Sequence, residues 1–201
     1  MDDIKKLEVN YDIGAGKEIA KYAESRTSPI LAYSAFILCG ASIAVFLLRG
    51  ADRELVSLAG DNVLSFMKNC GMIPLAAVLA SFPTLCLISA IYSGFSSIPM
   101  LTPPLFSLLW GFISGMLCPI LFTKSVTVCI AYSVFFLVSS LGITAAFSEG
   151  FIRRKNIKIF ERRITDTLTL RSISDYISSM LVPAVVFLAA AFAFSAFMNF
   201  M

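Results

Sequence analysis

The chain contains no histidine. That removes the side chain most used for acid–base work near neutral pH, and with it Ser-His-Asp triads and histidine metal sites. Charge is scarce as well. Asp, Glu, Lys and Arg make up 14% of the residues, against about 25% in an average soluble domain. From Asn69 to Ser148, eighty residues, the one charge is Lys124. Water-soluble domains do not hide that much apolar chain. About 18 or more uncharged apolar residues mark a membrane-span candidate, and a helix crosses the ~30 Å hydrocarbon core in about 20.

Other absences narrow the chemistry. There is no Gly-x-Ser-x-Gly elbow for a serine nucleophile. Gly14-Ala15-Gly16-Lys17 lacks the first glycine of a phosphate loop, and Glu18 stands where a Ser or Thr would bind magnesium. Asp2, not glycine, follows the first methionine, so myristoylation is not expected. Residues 1–26 mix acids with lysines, and the first apolar stretch has full span length, so a secretory leader is not expected. The five cysteines have no metal-ligand spacing. Cys39, Cys86 and Cys129 fall within spans as small apolar fillers. Cys70 and Cys118 fall near one membrane face, where an oxidising exterior would allow a disulfide, although spacing cannot assign connectivity. No catalytic residue, cofactor or metal is expected.

What is present is apolar helix, with 58% of residues hydrophobic. Five spans are predicted, at about 30–48, 73–92, 105–122, 126–147 and 178–199. The expected fold class is all-α, a polytopic membrane helix bundle. Residues 1–29 form a cytoplasmic tail, and 30–201 a single integral membrane domain.

Lys and Arg number five in residues 1–26, three in 49–68, one at Lys124 and seven in 149–175. Five spans put the tail and the 149–175 loop on one side with twelve basic residues, and leave four on the other. The excess marks the cytoplasmic side. The N-terminus is therefore expected inside and the C-terminus outside.

Two amphipathic stretches are predicted to lie on the membrane surface. In 51–68, Leu55, Leu58, Ala59, Val63, Phe66 and Met67 recur near helical spacing, and Asp52, Arg53, Glu54, Asp61 and Lys68 fill the other face. An ordinary structured loop is the alternative there. In 151–175, Ile157, Phe160, Ile164 and Leu168 form an apolar stripe among Arg153, Arg154, Lys155, Lys158, Arg162 and Arg163. Those six cations suit an anionic cytoplasmic leaflet and set orientation. Aromatic stacking groups are sparse there, so nucleic acid is not an expected partner.

Within the spans, Pro83 is expected to kink the second helix, because its ring removes a donor and clashes one turn back. Gly94 to Pro104 reads as an uncharged, proline-rich turn. Ser107, Gly111 and Gly115 repeat every four residues in the third span and form a helix-packing face. That face serves packing within the chain or an oligomer.

The order of features resembles the stage II sporulation protein M family. The resemblance lies in Phe66-Met67-Lys68-Asn69 after a polar outer stretch, in the Gly94-Phe95-Ser96-Ser97-Ile98-Pro99 turn, and in Gly111-Phe112-Ile113-Ser114-Gly115. It spans roughly residues 30–150, and departs from the family in lacking a proline-glutamine-asparagine-like element around Phe122 to Ser133. The resemblance implies five spans and a scaffold that works with cell-wall-degrading partners during engulfment of a forespore.

Ion-coupled carriers usually mark their path with intramembrane ionisable residues, and the predicted spans contain none. The leading expectation is therefore a non-enzymatic, multi-pass scaffold of the bacterial cytoplasmic membrane, with the lipid bilayer and exterior cell-wall-acting proteins as partners. The alternative is the membrane-spanning subunit of a permease.

Overall fold

The computed structural model describes residues 27–95, 101–161 and 170–201. The described residues form six helices and no strand: α1 (Thr27–Arg49), α2 (Arg53–Asn69), α3 (Met72–Phe95), α4 (Thr102–Phe122), α5 (Val126–Glu161) and α6 (Leu170–Phe200). Five of them, all but α2, are long and apolar enough to cross a membrane. At 1.5 Å per residue, the shortest of the five measures about 31 Å, which matches the hydrocarbon core.

The spanning helices bury part of their surface in the bundle and expose the rest, α1 and α6 along one narrow stripe. On α1 the buried residues are Pro29, Tyr33, Ile37, Gly40 and Ala44, one per turn. Its other faces carry Leu31, Leu38 and Phe46, which are 68%, 65% and 74% exposed. On α6 the stripe is Tyr176, Met180, Pro183, Phe187, Ala191, Phe194 and Met198. A chain folded in water would turn such faces inward. Lipid accepts them, and the helices then associate through close packing and polar contacts rather than by escape from water.

Helices α3, α5 and α6 pack on one another and make the centre of the bundle. The α4 helix lies against α5 and α3, and α1 lies against α4. An aromatic cluster joins α3, α4, α5 and α6. Phe82 stacks on Trp110 at 5.6 Å between centroids, Trp110 meets Phe135 edge-on at 6.2 Å, and Phe135 meets Phe194 at 5.9 Å. The indole Nε1 of Trp110 donates to Ser140 Oγ at 2.9 Å. Buried tryptophan nitrogen requires such a partner.

Helix bounds differ from the sequence expectation in several places. The fourth span does not end at 147 with a separate helix after it; α5 continues to Glu161. Gly150 invites a break, yet it sits in the helix because its face meets Ala90 O and Ser93 Oγ of α3, each 2.8 Å from where a Cβ would stand. The glycine serves close approach, not termination. At 36 residues the helix is about 54 Å long, so roughly four turns run beyond the membrane core. The second difference is α6, which begins at Leu170 rather than near Ser178.

Residues 96–100 of the uncharged turn lie outside the described residues. Helix α4 starts earlier than expected, at Thr102, because Pro103 and Pro104 fit a first turn whose N–H groups need no partner.

The 51–68 stretch is helical. Asp52 caps α2, accepting from Glu54 N at 3.0 Å. At the other end Cys70 N donates to Phe66 O at 2.9 Å. Gly71 then takes φ 71°, a left-handed conformation that glycine adopts without steric cost, and α3 begins.

Candidate functional site

The functional geometry lies in three places: the α1–α4 seam, the end of the bundle that carries α2, and the opposite end, where α3, α5 and α6 meet. The seam contains the predicted helix-packing residues. A Cβ on Gly111 would overlap the carbonyl oxygen of Ile37, and one on Gly115 would come within 2.6 Å of Ala41 Cα. The approach is mutual, since a Cβ on Gly40 would overlap Leu108 O. The α1 backbone thus fills the Gly111–Gly115 face. Ser107, one turn earlier, is fully buried with no hydrogen-bond partner for its hydroxyl.

Pro83 is buried on α3, and the helix runs through it. Thr84 Oγ1 donates to Ala80 O at 2.7 Å, and Ser81 Oγ to Val78 O at 2.6 Å. These back-bonds occupy carbonyls in the turn where the proline ring removes a donor.

At the α2 end, Lys124 in the α4–α5 turn donates to Asp61 Oδ2 at 2.7 Å and to Ser57 Oγ at 2.8 Å. Gly60 lies beneath the lysine stem, with Lys124 Cγ 2.9 Å and Ile120 O 3.1 Å from its absent Cβ. The inner face of α2 therefore centres on Gly60 and Met67. Met67 of the expected stripe is buried there, and Ala59 and Val63 are half-buried. Leu55, Leu58 and Phe66 of that stripe stay exposed, at 64%, 58% and 51%. A shallow concavity of about 380 Å³ lies beside them, lined by Arg53, Glu54, Ser57, Leu58 and Asp61.

At the opposite end, the ring of Tyr176 is wedged between helices. Its hydroxyl donates to Ala90 O at 2.8 Å. Gly94 has no side chain because that ring fills the space, with Tyr176 Cζ 2.7 Å from the absent Cβ. The Arg153 guanidinium lies over the same ring, 4.8 Å from its centroid. Arg153 and Arg154 are both half-buried on α5. Lys155 and Lys158 lie on the backbone of α5, their side chains outside the described residues, and Arg162 and Arg163 lie outside them altogether. The same holds for Ile164 and Leu168 of the predicted 151–175 surface stripe, for residues 1–26 and for Gly14–Lys17, while Ile157 and Phe160 lie on the α5 backbone.

Among the described residues no three His, Cys, Asp or Glu side chains gather as metal ligands. The five cysteines are free. Cys118 stands beside Cys129 rather than bridging to Cys70, and Cys129 Sγ donates to Cys118 O at 3.3 Å.

Sequence reasoning did not anticipate the Lys124–Asp61–Ser57 cluster. The signal was present, because a lone cation within eighty uncharged residues needs a counter-charge at its own membrane end. It also did not anticipate Tyr176 as an interhelical wedge, a role no spacing pattern marks. Comparison with protein-family models, curated proteins and solved structures finds no match for this chain.

Proposed function

We propose that this multi-pass protein is a non-enzymatic scaffold of the bacterial cytoplasmic membrane, with its N-terminus inside and its C-terminus outside. In this reading α2 lies on the outer leaflet. Leu55, Leu58 and Phe66 enter the boundary between headgroups and acyl chains, and the basic end of α5 faces the anionic inner leaflet. Partners with exterior domains assemble on the α2 end. The resemblance to the stage II sporulation protein M family adds cell-wall-remodelling enzymes as the class of partner.

One observation carries the reading. In the membrane-span candidates Thr27–Arg49, Met72–Gly94, Thr102–Phe122, Val126–Arg154 and Asp175–Phe200, the charged residues lie near the ends, at Arg49, Glu149, Arg153, Arg154 and Asp175. Their middles are joined by backbone-level contacts and aromatic rings. A proton or ion path normally needs ionisable groups at mid-depth. The helices instead hold an exterior helix in place by one ion pair.

A permease subunit is the second reading. The buried hydroxyls of Ser107 and Ser139, which have no hydrogen-bond partner, together with buried Pro83, favour it. Mild-detergent purification separates the two. A scaffold brings down proteins with large exterior domains. A permease subunit brings down a cytoplasmic ATPase docked on the 149–175 loop, and that result would overturn the scaffold.

A further inference from the structure

We infer that Cys118 and Cys129 are a redox-active thiol pair that closes to a disulfide across the α4–α5 hairpin. Cys118 lies on the last turns of α4 and Cys129 on the first turn of α5, at matching distances from the turn at 123–125. In an antiparallel helical hairpin such positions face each other. The side chains show this directly: Cys129 Sγ reaches the Cys118 carbonyl oxygen at 3.3 Å. Ser133 ties the two residues from the next turn. Its Oγ donates to Cys129 O at 2.8 Å and stands 3.7 Å from Cys118 Sγ.

Both thiols are half-buried. Each lies within about two turns of its helix end, or less than about 10 Å of depth, within reach of reagents at the membrane surface. Cys86, by contrast, is buried in the bundle, and Cys39 is exposed on α1, the face assigned to lipid.

The chemistry is thiol–disulfide exchange with an external disulfide donor. One thiol loses its proton and attacks a donor sulfur, breaking the donor S–S bond and releasing a donor thiolate. The second thiolate then attacks the first cysteine's sulfur in the mixed disulfide and releases the other donor thiolate. The two protons from the chain end on the donor dithiol. The donor is reduced by two electrons, and the pair is oxidised by two. Closure fixes the hairpin beside Lys124, the residue that holds α2.

The inference rests on the proposed orientation only for the source of oxidant, because that orientation puts the hairpin turn in the exterior. The test has two arms. In the first, the purified full chain is reduced, exposed to oxidised glutathione and then alkylated. Trypsin cleaves after Lys124 and cyanogen bromide after Met72, Met100 and Met116, so Cys118 and Cys129 fall on two peptides that contain none of Cys39, Cys70 and Cys86. The expected result is a reducible link between those two peptides, with three of the five thiols still alkylated. A stable glutathione adduct on either cysteine without the link, or a link to Cys39, Cys70 or Cys86, overturns the inference. In the second arm, intact cells are alkylated before lysis. The 118–129 link found there supports both the pair and the orientation. A reduced pair in cells, with the link formed in the first arm, leaves the pair standing and overturns the outward orientation of the turn.

Discussion

Lys124 Nζ and Asp61 Oδ2 stand 2.7 Å apart across 63 residues of chain. The lysine is 18% exposed and the aspartate 60%. The pair joins the α4–α5 turn to α2, which otherwise rests on the bundle through Gly60, Met67 and neighbouring apolar contacts. A partly exposed ion pair adds little to global stability, but this one fixes where a whole helix sits.

Asp61→Ala is therefore expected to lower the unfolding free energy by less than about 1 kcal/mol, while amide exchange in 53–69 speeds several-fold. Lys124→Ala should do the same and should also uncover Gly60. Hydrogen-exchange mass spectrometry reads both. If exchange in α2 is unchanged, the ion pair does not hold the helix.

Gly111→Ala should force α1 away from α4, because the new methyl meets the Ile37 carbonyl, a backbone group that cannot step aside. Overpacking of this kind costs about 1–3 kcal/mol, and Gly115→Ala should act in the same direction. Gly50→Ala is the control, since its nearest neighbour, Leu47 O, is 3.7 Å from the Cβ position. Thermal unfolding in detergent should fall for the first two variants and stay level for the third.

Trp110→Phe removes the bond to Ser140 Oγ and keeps most of the ring packing. Hydrogen bonds between membrane helices average about 0.6 kcal/mol in double-mutant cycles. A cycle with Ser140→Ala should return a coupling of that order. A coupling near zero would mean that the ring contacts alone fix the indole.

Arg153→Gln, Arg154→Gln and Lys155→Gln together should weaken the orientation of the C-terminal span, because seven of the sixteen basic residues lie in 149–175. A reporter fused to the C-terminus should then appear partly inside. An equal yield outside would mean that these three cations do not set topology.

The five apolar helices were legible in the sequence because the signal is solvent choice, which depends on composition over about 20 residues. Their ends were less legible. The fourth span reads as ending at 147, where charge returns at Glu149, although the helix runs on, and Pro103 reads as turn until its place in a first turn is seen. The α2 helix was visible as a periodic pattern, and Met67 of that pattern is buried, but Gly60 carries no apolar signal and gains its place from Lys124. Ser107, Gly111 and Gly115 were visible as a face without an owner. The sequence could not say that α1, with Ile37 74 residues before Gly111, supplies the backbone that fills it. Tyr176 looked like the first residue of an apolar run, and its hydroxyl acceptor lies on a helix remote in the chain.

That tyrosine also bears on assembly. The slot it enters is built from Gly94 and Gly150, both synthesised before it. When α6 leaves the ribosome, the two helices that form the groove for its ring have already been made. The order in which the polypeptide is made is thus the order in which its pieces can lock, and the final helix acts as keystone.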